Sequence, residues 1–140
     1  MRVLLDTCVV SELWRKGGSE KVRKSVSVLK PEDCYVSVLT VGEISKGIHL
    51  LNESKKKRDL QRKLTLLEEE YHQNILNIDI EVIKIWGELL AVSQKKGKPI
   101  PVSDGLIAAT ASRHGLHIMT RNVSDFEMSG ARLLNPWKEG

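Results

Sequence analysis

The chain lacks what a membrane protein, a disulfide scaffold or a thiol-ligated metal protein would need. No apolar run approaches the roughly 20 residues that a membrane helix requires. At the N-terminus the apolar run between Arg2 and Asp6 is only Val3, Leu4 and Leu5, a stretch too short for the apolar region of a signal peptide. Cys8 and Cys34 are the only two cysteines, and neither stands in a CxxC or Cys/His ligand spacing. Both are expected to be core or near-core thiols in a reducing, cytoplasmic protein. No G-x-G-x-x-G follows any strand-like segment, which argues against a dinucleotide. A phosphoacceptor receiver would carry paired acids after its first strand, and only Asp6 stands there. Histidines offer no nucleophilic relay: His49 and His72 fall on expected helices, and His114 and His117 straddle a helix–strand junction. Internal repeats and low-complexity segments are absent as well.

What is present describes an ordinary folded domain. Hydrophobic residues make up 41% and charged residues 29% of 140 positions, enough for one core without staples and the usual size of one domain, residues 1–140. The net charge of +4 and pI near 9.1 mildly favour an anionic partner.

Periodicity places the elements. Arg2–Leu5 reads as a short buried strand, followed by helical spacing over Val9–Trp14 that Gly17-Gly18 breaks. Ser19 and Glu20 restart a helix that Pro31 closes. Cys34–Val38 is the second strand. Thr40-Val41-Gly42-Glu43 matches a capping box and predicts a helix start there, with Ile44, Ile48 and Leu51 on one face. Lys55–Tyr71 is amphipathic through Leu60, Leu64 and Leu67. Ile75–Ile78 is a third strand, and Ile80–Lys96 a helix with Ile83, Trp86, Leu89 and Leu90 inward. Residues 97–101 form a link, Ser103 is expected to cap a helix over Asp104–Arg113, and Gly115 to end it. His117–Thr120 is a fourth strand, Asn122–Gly130 a loop, and Arg132–Leu134 a weak fifth strand. Strands alternating with helices imply parallel strands joined by helical crossovers, hence a three-layer α/β/α domain.

In such a sheet, ligands bind beyond the carboxyl ends of the strands. Asp6 follows the first strand, and Glu43 begins the helix after the second. Asp104 begins the helix that leads into the fourth, after which come Thr120, Arg121, Asn122 and Asp125. Each acid has a plain structural explanation: Asp6 as a helix cap, Glu43 as the N3 member of the capping box, Asp104 as a residue favoured by a helix dipole. Asp6 and Glu43 nevertheless follow strands that should be neighbours. Carboxylates gathered in one crevice repel one another unless a cation lies between them. Oxygen-only ligands suit Mg²⁺ or Mn²⁺. Such an ion binds phosphoryl oxygens and activates water, so the chemistry indicated is phosphodiester hydrolysis. Most basic clusters read as solvated helix faces. Arg15, Lys16 and Arg121 follow soon after the proposed site turns and are candidates for phosphate contact. Trp14, Trp86 and Trp137 are expected in the core or a subunit interface.

The segments Val3-Leu4-Leu5-Asp6-Thr7, Ser37-Val38-Leu39-Thr40-Val41-Gly42-Glu43-Ile44, Val102 to Ala111, Thr120 to Phe126 and Leu134-Asn135-Pro136-Trp137 follow one another in this order along essentially the whole chain. Together they resemble the PIN-domain family, and within it the VapC-like and FitB-like toxins of type II toxin–antitoxin pairs. The resemblance implies a parallel sheet in strand order 3-2-1-4-5 and a Mg²⁺- or Mn²⁺-dependent endoribonuclease acting on an RNA substrate. It also implies a homodimer and a cognate antitoxin protein whose C-terminal segment covers the active site. The family's first acid falls on Asp6, its glutamate on Glu43 and its third acid on Asp104, with Asp6 and Asp104 as the most direct metal ligands. The fourth position, often Asp, is Asn122. It can still offer an amide oxygen, but one negative charge is missing, and Asp125 is a candidate to supply it. Thr120 matches the small hydroxyl residue beside the fourth acid. Two alternatives keep the fold: an RNA-processing or DNA-acting nuclease outside a toxin–antitoxin pair, and a catalytically silent scaffold.

Overall fold

A computed structural model describes residues 1–138. Among them, a five-stranded parallel sheet in the order β3-β2-β1-β4-β5 is built from β1 (Val3–Leu5), β2 (Cys34–Ser37), β3 (Ile75–Leu76), β4 (His117–Met119) and β5 (Leu133–Leu134). Its helices are α1 (Thr7–Trp14), α2 (Glu20–Ser27), α3 (Val38–His49), α4 (Lys55–Glu70), α5 (Ile80–Lys95), α6 (Val102–His114) and α7 (Val123–Phe126). The three-layer α/β/α arrangement and the strand order agree with the sequence reading.

Strand alternation decides which layer each side chain feeds. Val3 and Leu5, Cys34 and Val36, and Met119 point to one face, against Val9, Val10, Val22, Ile44, Ile48 and Leu67 of α1 to α4. Leu4 and Ile118 point to the other, against Ile107, Ala108 and Ala111 of α6 and Phe126 of α7. The small residues of α6 let it lie close on the sheet. Val3 pairs with Cys34 on one side and His117 on the other, so the central strand is buried on both faces, as its unbroken apolar run requires. Among the described residues no helix is long and apolar enough to cross a membrane.

Several local expectations are corrected. The capping box does not start α3: Ser37 does, its hydroxyl accepting from Leu39 N at 3.0 Å, and the helix begins at Val38. Ser37 is the last strand residue and already holds extended backbone, so the chain turns into helix there without a linker. Thr40 is drawn inward and fully buried, which leaves Glu43 beyond the first turn, with no capping duty. Ser103 likewise caps nothing, because α6 begins at Val102 behind Pro101, and Gly105 N donates to Pro101 O at 2.9 Å to close that turn. The expected loop over Asn122–Gly130 contains α7 and a 3₁₀ turn, held by the fully buried Phe126. On α5 the buried side chains are Val82 and Ser93, whereas Ile83 is 37% exposed. His72 lies in the turn after α4 rather than on it.

Candidate active site

The carboxyl ends of β1, β2 and β4 meet at one end of the sheet, and Asp6 lies at the centre. Its backbone N donates to Met119 O at 3.0 Å. One carboxylate oxygen accepts from Thr7 N at 2.9 Å and so caps α1; the other accepts from the Thr120 hydroxyl at 2.8 Å. The capping role is thus real, but it occupies only half of the carboxylate. Thr120 is fully buried, and its oxygen accepts in turn from Asn122 N at 3.0 Å. That hydroxyl joins the end of β4 to Asp6 and shapes the turn into α7.

Glu43 reaches the same place from α3. The Thr7 hydroxyl donates to Glu43 Oε1 at 2.8 Å and lies 3.0 Å from the Thr40 hydroxyl. Asp104, in the first turn of α6, carries the clearest electrostatic signature. Its carboxyl is pushed up to about 6 by burial first, and then by the negative charges of Asp6, Asp125 and Glu43. Asp125 also stands within hydrogen-bonding reach of it. A helix dipole at this position would favour the charged form, so the neighbouring acids and burial outweigh it.

Asp6, Glu43, Asp104, Asp125 and Thr120 are therefore brought together. Asn122 stands exposed at the N-cap of α7, where its side chain caps nothing. Arg15 and Lys16 border a groove that ends at Glu43; Arg15 also holds Glu12 at 3.3 Å. Arg121 is directed elsewhere, its guanidinium over the Trp137 ring at 5.2 Å. Only its backbone N faces inward, donating to Cys8 Sγ at 3.5 Å. Cys8 lies 3.7 Å from both Asp6 Oδ2 and Thr120 Oγ1, so it is a neighbour of the site rather than an ordinary core thiol. Burial pushes that thiol up, away from the thiolate. Thr7 and Thr40 escaped the sequence reading; the only signal for them was a hydroxyl directly after Asp6 and another three residues before Glu43.

Among the described residues no three acidic, histidine or cysteine side chains are close enough to enclose an ion by themselves. Mg²⁺ does not require that: it keeps several waters and takes one or two carboxylates, with substrate phosphate completing its shell. A set of hard oxygens in which burial and then mutual repulsion raise one member's pKa fits such an ion.

Comparison with known proteins gives a consistent picture. A family model described as PIN domain matches residues 3–127. The chain is 36% identical over 138 residues to Toxin FitB of Neisseria gonorrhoeae, covering 98% of this chain and 99% of that one. It is 32% identical over 137 residues to VapC ribonuclease Y4jK of Sinorhizobium fredii, covering 97% and 98%. Its fold superposes on a structure of FitAB bound to an IR36 DNA fragment with a TM-score of 0.93 at 34% identity, over 99% of this chain and 97% of that one.

Proposed function

The chain belongs to the PIN-domain family, and from that premise we propose that it is a Mg²⁺- or Mn²⁺-dependent endoribonuclease, the toxin of a type II toxin–antitoxin pair. The observation that carries the reading is the convergence of Asp6, Asp125 and Glu43 on Asp104, whose carboxyl is pushed up to about 6 by burial and then by these charges. The relatives named as a toxin and as a ribonuclease support the biological part. FitAB, bound to a DNA fragment, supports a cognate antitoxin as partner. The protein is read as one nuclease domain over 1–140, a homodimer working in the cytoplasm.

Asp6 and Asp104 would hold the ion, and Asp125 supplies the charge that Asn122 lacks. A bound divalent cation neutralises the phosphoryl oxygens and acidifies its water. The chain's own groups do the rest. Thr120 donates to one oxygen of Asp6 and fixes that carboxylate's orientation. Thr7 does the same for Glu43, which is placed to orient the attacking water and take its proton. Asn122 presents an amide oxygen at the rim. Arg15 and Lys16 contact phosphate along the groove, whereas Arg121 is occupied by Trp137. The silent-scaffold alternative loses its main support, because Asp125 stands against Asp104 despite the Asn at position 122.

Asp6→Asn should keep the fold and lower RNA cleavage by on the order of 10³-fold, because losing a carboxylate that would hold the ion forfeits several kcal/mol of transition-state charge stabilisation. Calorimetry should show Mg²⁺ or Mn²⁺ binding to the wild type. An Asp6→Asn protein that cut RNA at the wild-type rate in the presence of a chelator would refute the reading.

A further inference from the structure

Thr40 lies in the first turn of α3 and is fully buried. A threonine inside a helix commonly returns its hydroxyl to the carbonyl four residues back. Thr65 does so to Gln61 O at 3.2 Å, and Thr110 to Leu106 O at 2.8 Å. Thr40 comes too early in its helix for this, because the residue four back, Val36, belongs to β2. Its hydroxyl crosses to α1 instead and lies 3.0 Å from the Thr7 hydroxyl, its only side-chain partner among the described residues.

Protons fix the direction of these contacts. A threonine hydroxyl carries one proton, and an ionised carboxylate only accepts. The Thr7 hydroxyl lies between the Thr40 oxygen at 3.0 Å and Glu43 Oε1 at 2.8 Å. Its single proton goes to the carboxylate, the stronger acceptor and the nearer one. Thr40 must then donate to Thr7, because water does not reach a fully buried hydroxyl and a proton left there without an acceptor costs free energy. The result is a chain of two hydroxyls, Thr40 to Thr7 to Glu43, that runs from the core to an exposed carboxylate. Each bond polarises the next, so donation by Thr40 strengthens the hold of Thr7 on Glu43. Oε1 is the only part of that carboxylate with a partner among the described residues. Without this anchor a long, exposed glutamate keeps its rotamer freedom.

Resting on the proposed nuclease reading, we propose that Thr40 is a positioning residue for the reaction. It acts through Thr7 to hold the Glu43 carboxylate where the attacking water is oriented and deprotonated. It touches neither the ion nor the RNA, so loss of its hydroxyl slows the chemical step and leaves the binding of both unchanged.

The test measures RNA cleavage by the full chain with Mg²⁺ or Mn²⁺, beside calorimetric binding of the ion alone. Thr40→Val keeps the branched shape and removes only the donor. It should lower kcat about ten-fold, short of the roughly 10²-fold that a misplacement of about 1 Å can cost, with KM and metal affinity unchanged. Thr40→Ser keeps the donor and drops a buried methyl group, so it should melt at a lower temperature yet recover most of the rate. A merely structural role predicts that the rate follows the melting temperature, and a Thr40→Ser protein as slow as Thr40→Val overturns the proposal. In a Glu43→Ala background, Thr40→Val should change kcat no further. The same fold-loss in both backgrounds would show that Thr40 does not act through Glu43. The nuclease reading fails separately, if the wild type cleaves no RNA with either ion. The hydroxyl chain is then read in the wild type by nuclear magnetic resonance, as a slowly exchanging Thr40 hydroxyl proton that Thr7→Val removes; absence of that resonance from the wild type also overturns the proposal.

Discussion

At the scale of single residues, Asp104 is the most informative titratable group. Its folded-state pKa of about 6 lies above the ordinary 3.8, so the folded protein holds that proton more tightly than the unfolded chain. The stabilising contribution is fully present below about pH 4 and is lost as pH rises through about 6. In a chelating buffer, melting temperature should fall across this window in the wild type more than in Asp104→Asn. A divalent ion competes for the same oxygen, so metal affinity should rise over the same interval. Parallel pH profiles for the two proteins would show that Asp104 is not the titrating group. None of this was legible locally. An Asp three residues after Pro101 looks like any helix-start acid, and only its burial and the arrival of Asp6, Asp125 and Glu43 from other elements give it an unusual proton.

At the scale of elements, the site depends on where α6 begins and how closely it approaches α5. A Cβ built on Gly105 would lie 3.1 Å from Trp86 Cδ1 and 3.2 Å from Nε1. Trp86 Nε1 is buried without a hydrogen-bond partner among the described residues, so the indole is wedged there by packing rather than held by a polar contact. Gly105→Ala gains about 1 kcal/mol of helix propensity. Overpacking costs roughly 1–3 kcal/mol, and with a rigid indole in the way it should win. The expected outcome is a net loss of about 1 kcal/mol in urea unfolding, with weakened metal binding as Asp104 is displaced. A more stable variant with unchanged metal affinity would show that Trp86 yields. Periodicity found every helix of substance, but it misplaced the starts of α3 and α6. A capping-box pattern at Thr40 and a serine at Ser103 are good local signals. They lost because Ser37 and Pro101 already stood where the chain leaves extended backbone.

At the scale of the molecule, β1 joins two half-cores. Val3 and Leu5 belong to the layer of α1 to α4, and Leu4 to that of α6 and α7. With all three fully buried, neither layer can open without exposing the strand that the other packs against. Leu4→Ala should cost about 2–5 kcal/mol. Far-ultraviolet circular dichroism and tryptophan fluorescence should still report one coincident transition. Two separated transitions would mean that the half-cores unfold independently.

Apolar runs and amphipathic spacing are properties of local segments, so the alternation of strands and helices, and hence the parallel three-layer fold, was legible in the chain alone. The residue types that stand after each strand were legible there too, and the likeness of those segments to a known family followed from their order alone. What these residues meet depends on the tertiary structure. It showed Asp125 standing against Asp104 where Asn122 lacks a charge, Thr7 and Thr120 aiming two carboxylates, and Arg121 turned onto Trp137. It also brought Trp14 and the lysines of α4 to one groove. Each of these depends on distances between segments far apart in the chain, and no local pattern encodes such a distance.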